Sequence, residues 1–400
     1  MILTARTIIT GDGKSVLRDG AVLIRDGIIR AVGLPEEIRA SNPAESVKDF
    51  GDRTILPGLI DMHQHLCYWY SKPDAYLYDS ALGAFHAQYA ALQSLFHGVT
   101  TIRSAADGKG IVQKLKLAKE KGLIRAPRLF ACDEALIATG GHGWVLPEGT
   151  IEVDGADNIR AAVRKLIRDG ADWIKAMDSD RSDVSEYTQE ELNAITDECH
   201  RHGKKCFVHA GTQPAIEMCI KAGFDTIEHG TWLTEEQALE MKAKSLSWTP
   251  TIIAYTYIYD RLTAEGNAAG NGSIVDEASA RDFEYYRDAA RTYRENFKKL
   301  YDTGVNVLAG TDMVLDGAPF GPVARELQYM VDYGITPVEA IAAATGNAAA
   351  ALDMKGKIGI LGEGAFADLL IVEGDASKDI KALTKIVDVY QDGCPVRREI

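Results

Sequence analysis

Between residues 54 and 312 the chain returns eight times to a short, apolar, β-prone segment, and helical patterns separate most of these returns. The segments are TILPGLIDMHQH (54–65), GVTTIRSAA (98–106), RLFACDEALI (128–137), ADWIKAM (171–177), KKCFVHA (204–210), FDTIEHG (224–230), SLSWTPTI (245–252) and VNVLAGTD (305–312). Parallel strands need a crossover connection and are buried on both faces, so apolar runs alternating with helices mark parallel βαβ units. One such helix, IRAAVRKLIRDG (159–170), puts Ile159, Val163, Leu166 and Ile167 on one face and meets Gly170 as a C-cap. Eight units over about 300 residues predict an α/β fold, a closed (β/α)8 TIM-like barrel.

The two ends have another texture. Residues 1–54 read as short strands joined by Gly/Asp turns, and AVLIRDGIIRAVG (21–33) is a hairpin around Asp26-Gly27. The last 45 residues repeat that texture in GKIGILGEGAFADLLIVEGD and KIVDVYQDG. Chain termini often lie close together, so residues 1–56 and 355–400 are expected to form one small β-sandwich domain, with the barrel over 57–354. Residues 252–300 interrupt the rhythm with a Gly/Asn/Ala stretch between aromatic-rich flanks. On the carboxyl-end face of a barrel such an insertion is either a lid or an extended loop with an ordinary outer helix.

A net charge of −14, with no Lys/Arg stripe, excludes a nucleic-acid partner. No apolar run approaches the roughly 20 residues of a membrane span, and MILTARTIITGDGK lacks the basic and apolar parts of a signal peptide. The six cysteines include no C-x-x-C pair, which points to reduced thiols and a cytoplasmic protein. The expected partner is a small-molecule substrate, and contacts between outer helices predict a homo-oligomer.

Chemistry concentrates at the ends of the strand segments. His63 and His65 form H-x-H, and period-two alternation puts both on one side of a strand. His209 ends FVHA, His229 ends IEHG and Asp312 ends LAGTD, while Lys175 interrupts the apolar segment ADWIKAM. The carboxyl ends of barrel strands converge on one mouth. Four imidazoles and a carboxylate there are ligands for a first-row metal, zinc first among them. An ammonium cannot ligate, but burial beside cations pushes lysine toward the neutral amine. That amine can add CO2, and the resulting carbamate on Lys175 can bridge two divalent metal ions roughly 3.5–4 Å apart.

The strings PGLIDMHQH, DWIKAM, FVHA, TIEHG and GTD, with GVTTIR, GGHG and the terminal GKIGILGEGAFADLLIVEGD, resemble the amidohydrolase superfamily along essentially the whole chain. More narrowly the sequence is similar to the imidazolonepropionase-like hydrolases, which include prolidase-type dipeptidases, carboxypeptidases and ochratoxin-type amidases. The resemblance implies that His63, His65 and Asp312 bind the more buried metal and His209 and His229 the more exposed one, with carboxylated Lys175 bridging. It further implies a metal-bridging hydroxide as nucleophile and Asp312 as the proton shuttle to the leaving amine. His142, in TGGHGW, is expected at the substrate, where it stabilises the developing oxyanion.

Two departures bear on specificity. Trp232 stands three residues after His229, where peptidase-like relatives often carry a tyrosine, and indole has no hydroxyl to polarise a carbonyl. The turn after Lys175 is DSDRSD rather than short and Ser/Gly-rich, so Asp178, Asp180, Arg181 and Asp183 are read as pocket residues or as a solvated loop. Arg103, in TTIRS, meets either a substrate carboxylate or a core acid. The expected activity is hydrolysis of an amide bond in a dipeptide or N-acyl amino acid. The alternatives are a mononuclear deaminase or hydrolase of a cyclic amide, carbamate or urea, and a non-catalytic scaffold on the same fold.

Overall fold

The computed structural model describes residues 1–67, 80–144, 149–179, 181, 183–268, 277–312 and 321–396. Both ends of the chain share one sheet, in the order Cys394–Pro395, Ile386–Gln391, Leu369–Glu373, Arg53–Pro57, Ile2–Ile9, Val16–Arg25 and Ile28–Gly33, with Val47–Asp49 also pairing Ile2–Ile9. The Asp26-Gly27 hairpin forms as read: Arg25 pairs Ile28, and both turn residues have positive φ (54° and 73°), the requirement of a type I′ turn. Ile28 also bridges Phe366, and the Ile29 N–H donates to the Ala365 carbonyl, so the sheet curls back on its own C-terminal half. Leu3, Ile8, Val22, Ile29, Ile55 and Leu369 fill the space enclosed.

The segment 54–65 is two strands rather than the one expected. Arg53–Pro57 belongs to the terminal sheet, and Leu59–Gln64 begins the parallel part. The chain changes sheets at Gly58, where a Cβ would lie 2.2 Å from Thr100 Oγ1, so only glycine lets the backbone pass. From there to Asn306–Val307 all strands are parallel. One sheet holds Leu59–Gln64, Val99–Ser104 and Arg128–Phe130. The other runs Thr150–Glu152, Ala135–Ile137, Trp173–Met177, Lys205–Ala210, Thr226–His229, Ser247–Thr249 and Asn306–Val307. Backbone bonds join them on both sides: Met62 N–H to the Ala309 carbonyl and Asp312 N–H to that of His63 at one edge, Asp172 and Trp173 N–H to that of Ala131 at the other.

The expected strand 128–137 is also broken. Asp133 takes a left-handed backbone (φ 64°) and turns its carboxylate to the Gly110 N–H, separating Arg128–Phe130 from Ala135–Ile137. Thr150–Glu152 is a strand that the sequence reading did not anticipate. Residues 252–300 form two helices, Ile252–Ala268 and Glu277–Asp302. Much of the Gly/Asn/Ala stretch between them lies outside the described residues, as does Asp180. The helix expected at 159–170 is Ala156–Arg168, with Ile159, Val163 and Leu166 buried and Ile167 half-buried.

Candidate active site

His63, His65, His209, His229 and Asp312 come together at the carboxyl ends of the parallel strands. The Asp312 carboxylate lies among three of the imidazoles: 3.2 Å from His65 Nε2, 3.6 Å from His63 Nε2 and 3.9 Å from His229 Nδ1. The His229 ring centroid is 5.0 Å from that of His63 and 4.3 Å from that of His209. Alternation along Leu59–Gln64 sends Asp61, His63 and His65 to one side. His229 and Asp312 reach the same space differently, because both have left-handed backbones (φ 65° and 46°). Such φ values are uncommon for residues with a Cβ, and strain of this kind clusters at functional sites. Here it is held by bonds to the His229 carbonyl from Trp248 Nε1–H (2.7 Å) and Tyr293 O–H (3.1 Å), and by the Asp312 N–H bond to the His63 carbonyl (2.7 Å).

Lys175 is fully buried in Trp173–Met177, beside Phe207 in the adjoining strand. Its Nζ lies 4.9 Å from the Phe207 ring centroid, and no hydrogen bond or ion pair joins it to any described residue. Burial pushes its pKa down to about 8, against the pull of the Glu228 and Asp312 anions. Burial, reinforced by Lys175, lowers His63 to about 4, and burial likewise carries His229 well below the usual imidazole range. Neutral imidazoles are the ligand form of histidine. Burial works to raise the Asp312 carboxyl, but His63, His65 and Lys175 hold it down near 2. The ligand atoms of His63, His229 and Asp312 all lie within 4.8 Å of one another, so the donors present fit a metal ion in chemistry and in spacing.

One layer deeper lies a residue that sequence reasoning missed. Glu228 accepts from His63 Nδ1–H at 2.6 Å, which leaves the Nε2 lone pair directed at the cluster. Its other oxygen accepts from Arg103 Nη2–H at 2.8 Å and from the Thr226 hydroxyl. Burial would raise Glu228, but Arg103 and His63 hold it down to about 2. This corrects the reading of Arg103 as a substrate contact. Its guanidinium is fully buried, donates also to the Met62 carbonyl (2.7 Å) and Thr226 Oγ1 (2.9 Å), and lies over the Phe207 ring at 4.0 Å. The core acid is its partner. An acidic residue inside the buried strand TIEH was a signal of the same kind as Lys175.

Asp178 is corrected too. It is fully buried, taking the Ser179 and Glu186 N–H groups on Oδ1 and the Ser185 hydroxyl on Oδ2, so it pins the turn and offers nothing to a substrate. Arg181 is exposed and pairs with Asp282 at 2.6 Å while lying 4.2 Å from the Tyr285 ring centroid, which ties the turn to helix Glu277–Asp302. Half-buried Trp232 sits 5.5 Å from Tyr285, centroid to centroid, and Tyr255 is 5.7 Å from His229. His142 stacks on His209 at 4.2 Å, and its N–H donates to Glu186 Oε2 at 2.6 Å.

Parallel strands that gather histidines and a carboxylate at their carboxyl ends define an α/β enzyme with a metal-competent site. The chain belongs to the amidohydrolase family, whose model matches residues 54–397, and it is a hydrolase. It is 30% identical to the ochratoxinase of Aspergillus niger over 98% of this chain and 85% of that protein. It is 25% identical to the imidazolonepropionase of Pyrobaculum arsenaticum over 93% and 92% of the two chains. The crystal structure of a Xaa-Pro dipeptidase with bound methionine in the active site superposes with a TM-score of 0.87 at 28% identity, covering 99% of both chains. Among the described residues no helix is long and apolar enough to cross a membrane.

Proposed function

We propose that this protein hydrolyses an amide bond of a small substrate, a dipeptide or N-acyl amino acid, at a centre of two divalent cations, zinc foremost. The observation that carries the reading is a single cluster of imidazoles around one carboxylate, with a buried lysine that lacks a polar partner among the described residues. His63, His65 and Asp312 would hold one cation and His209 and His229 the other, with carboxylated Lys175 joining them. Forming the carbamate makes an N–C bond from the neutral amine to CO2 and releases one proton. Bound there, the cations would supply Lewis acidity toward the scissile carbonyl and bring the pKa of water toward neutrality. Asp312, held anionic, takes the proton of the attacking water and delivers it to the leaving nitrogen. His142, which stacks beside His209, would donate to the carbonyl oxygen as it gains charge. The dipeptidase and ochratoxinase relatives support the amide substrate class.

The same proposal includes a (β/α)8 barrel over 57–354, supported by the bonds at both sheet edges, and a terminal β domain from 1–56 and 355–400. It also includes a cytoplasmic homo-oligomer, with six free cysteines consistent with a reducing compartment. A one-cation reading, a deaminase or a hydrolase of a cyclic amide, carbamate or urea, draws on the compact His63/His229/Asp312 set. The test is metal analysis of the protein together with amine release from a pooled panel of dipeptides and N-acyl amino acids, read by mass spectrometry. Two ions per chain and hits sharing a carboxyl-terminal residue establish the proposal. One ion, with turnover only of cyclic amides, carbamates or ureas, overturns it in favour of the second reading.

A further inference from the structure

At the opposite, amino-terminal end of the same strands a second set of ligand-type side chains meets. His200 comes from the last turn of helix Gln189–Arg201, Cys206 from the start of strand Lys205–Ala210, and Asp225 from the residue before Thr226–His229. Their ligand atoms all lie within 4.8 Å of one another. His200 Nε2 is 2.9 Å and Cys206 Sγ 3.7 Å from Asp225 Oδ2, and the Cys206 N–H, 2.9 Å from the same oxygen, fixes the carboxylate. Cys206 precedes His209 by three residues, about 10 Å along a strand, so no ion can be shared with the candidate active site.

We propose that Cys206, His200 and Asp225 form a separate structural site for a zinc-type divalent cation. Thiolate, imidazole and carboxylate are the donors such a borderline cation takes, and bond lengths of about 2.0–2.3 Å give tetrahedral edges of roughly 3.3–3.8 Å. The Cys206–Asp225 spacing already matches, and the His200–Asp225 pair opens by about half an ångström, a side-chain adjustment within rotamer freedom. The cation replaces two protons, one from the Cys206 thiol and one from His200 Nε2, both released to solvent. A cavity of about 350 Å³, lined by Asp225 together with Lys205, Lys242, Ser247 and Asn306, opens beside the cluster. Once bound, the ion fastens the helix to the roots of two neighbouring strands.

Cobalt reads this site without reference to activity. No cysteine is among the candidate active-site ligands, so a near-ultraviolet sulfur-to-cobalt charge-transfer band reports the lower site alone. Chelated, reduced full-length protein titrated with Co2+ is expected to develop that band, and to lose it in Cys206→Ser and in His200→Ala. His200 lies on the helix surface, so its variant keeps the fold even where the buried serine does not. The assignment is overturned by a reduced, cobalt-saturated protein with no such band, or by a band that survives the His200→Ala substitution.

Discussion

Two layers of buried charge lie on the same parallel strands, and they are built on opposite principles. In the deeper layer Arg103 and Glu228 satisfy each other, with Thr226, the Met62 carbonyl and the His63 Nδ1–H taking up their remaining capacity. In the layer above, Lys175 is as deeply buried, yet no described residue gives it a hydrogen bond or an ion pair. An ion pair with every donor placed is what a fold tolerates in its core. A lone ammonium is not, and its pKa falls toward the neutral amine instead. The contrast separates charge that supports the architecture from charge that the proposed function assigns to chemistry.

The largest effect is expected where the upper layer handles protons. On the proposed mechanism Asp312→Asn removes the acceptor for the water proton while keeping shape, so turnover should fall by about 10²–10⁴ with the fold retained. Steady-state kinetics beside a melting curve measures both, and near-normal turnover would remove Asp312 as the proton carrier. Next comes a paired test across the layers. Arg103→Met strands the Glu228 carboxylate and should cost about 3–5 kcal/mol in chemical denaturation. Lys175→Met strands nothing, so in metal-free protein its stability should stay unchanged or rise, while activity disappears. Equal destabilisation by the two substitutions would break the distinction between the layers.

Much of the upper layer was legible because its residues contradict their surroundings. A lysine in WIKAM, an H-x-H after an apolar run and a terminal Asp in LAGTD have no place in strands buried on both faces unless something is made of them. The deeper layer was less legible. Arg103 carried the same contradiction, but which of its two partners it met depended on how the strands faced each other, and Glu228 was passed over beside the conspicuous His229. Asp178 misled because a run of charged residues looks solvated, whereas the turn folds its backbone N–H groups back onto that carboxylate. The sheet change at Gly58 and the left-handed turn at Asp133 were hidden because apolar content continues through both.

The link between the layers is the His63 Nδ1–Glu228 bond. Glu228→Gln keeps a hydrogen-bond acceptor but removes the charge that fixes the His63 tautomer, so metal affinity should drop about 10–100-fold. Competition with a chelator of known affinity measures it, and unchanged affinity would confine Glu228 to pairing Arg103.

The smallest expected effect lies at the rim. Arg181 and Asp282 are both about half exposed (47% and 50%), and exposed pairs contribute about 0–1 kcal/mol. The cation over Tyr285 adds about 0.5–1 kcal/mol. Arg181→Ala should therefore lower the melting temperature by no more than about 4 °C. Its kinetic consequence follows from where Tyr285 leads. That ring packs against Trp232 and Tyr255, and Tyr255 reaches His229, so a contact made at the exposed turn continues to a candidate metal ligand. If helix Glu277–Asp302 covers bound substrate, loosening its tie to the turn raises KM by up to about tenfold and leaves kcat in place, because the proton-handling groups do not move. A variant with KM and kcat both at wild-type values would make the aromatic wall ordinary packing and leave specificity to the residues nearer His142.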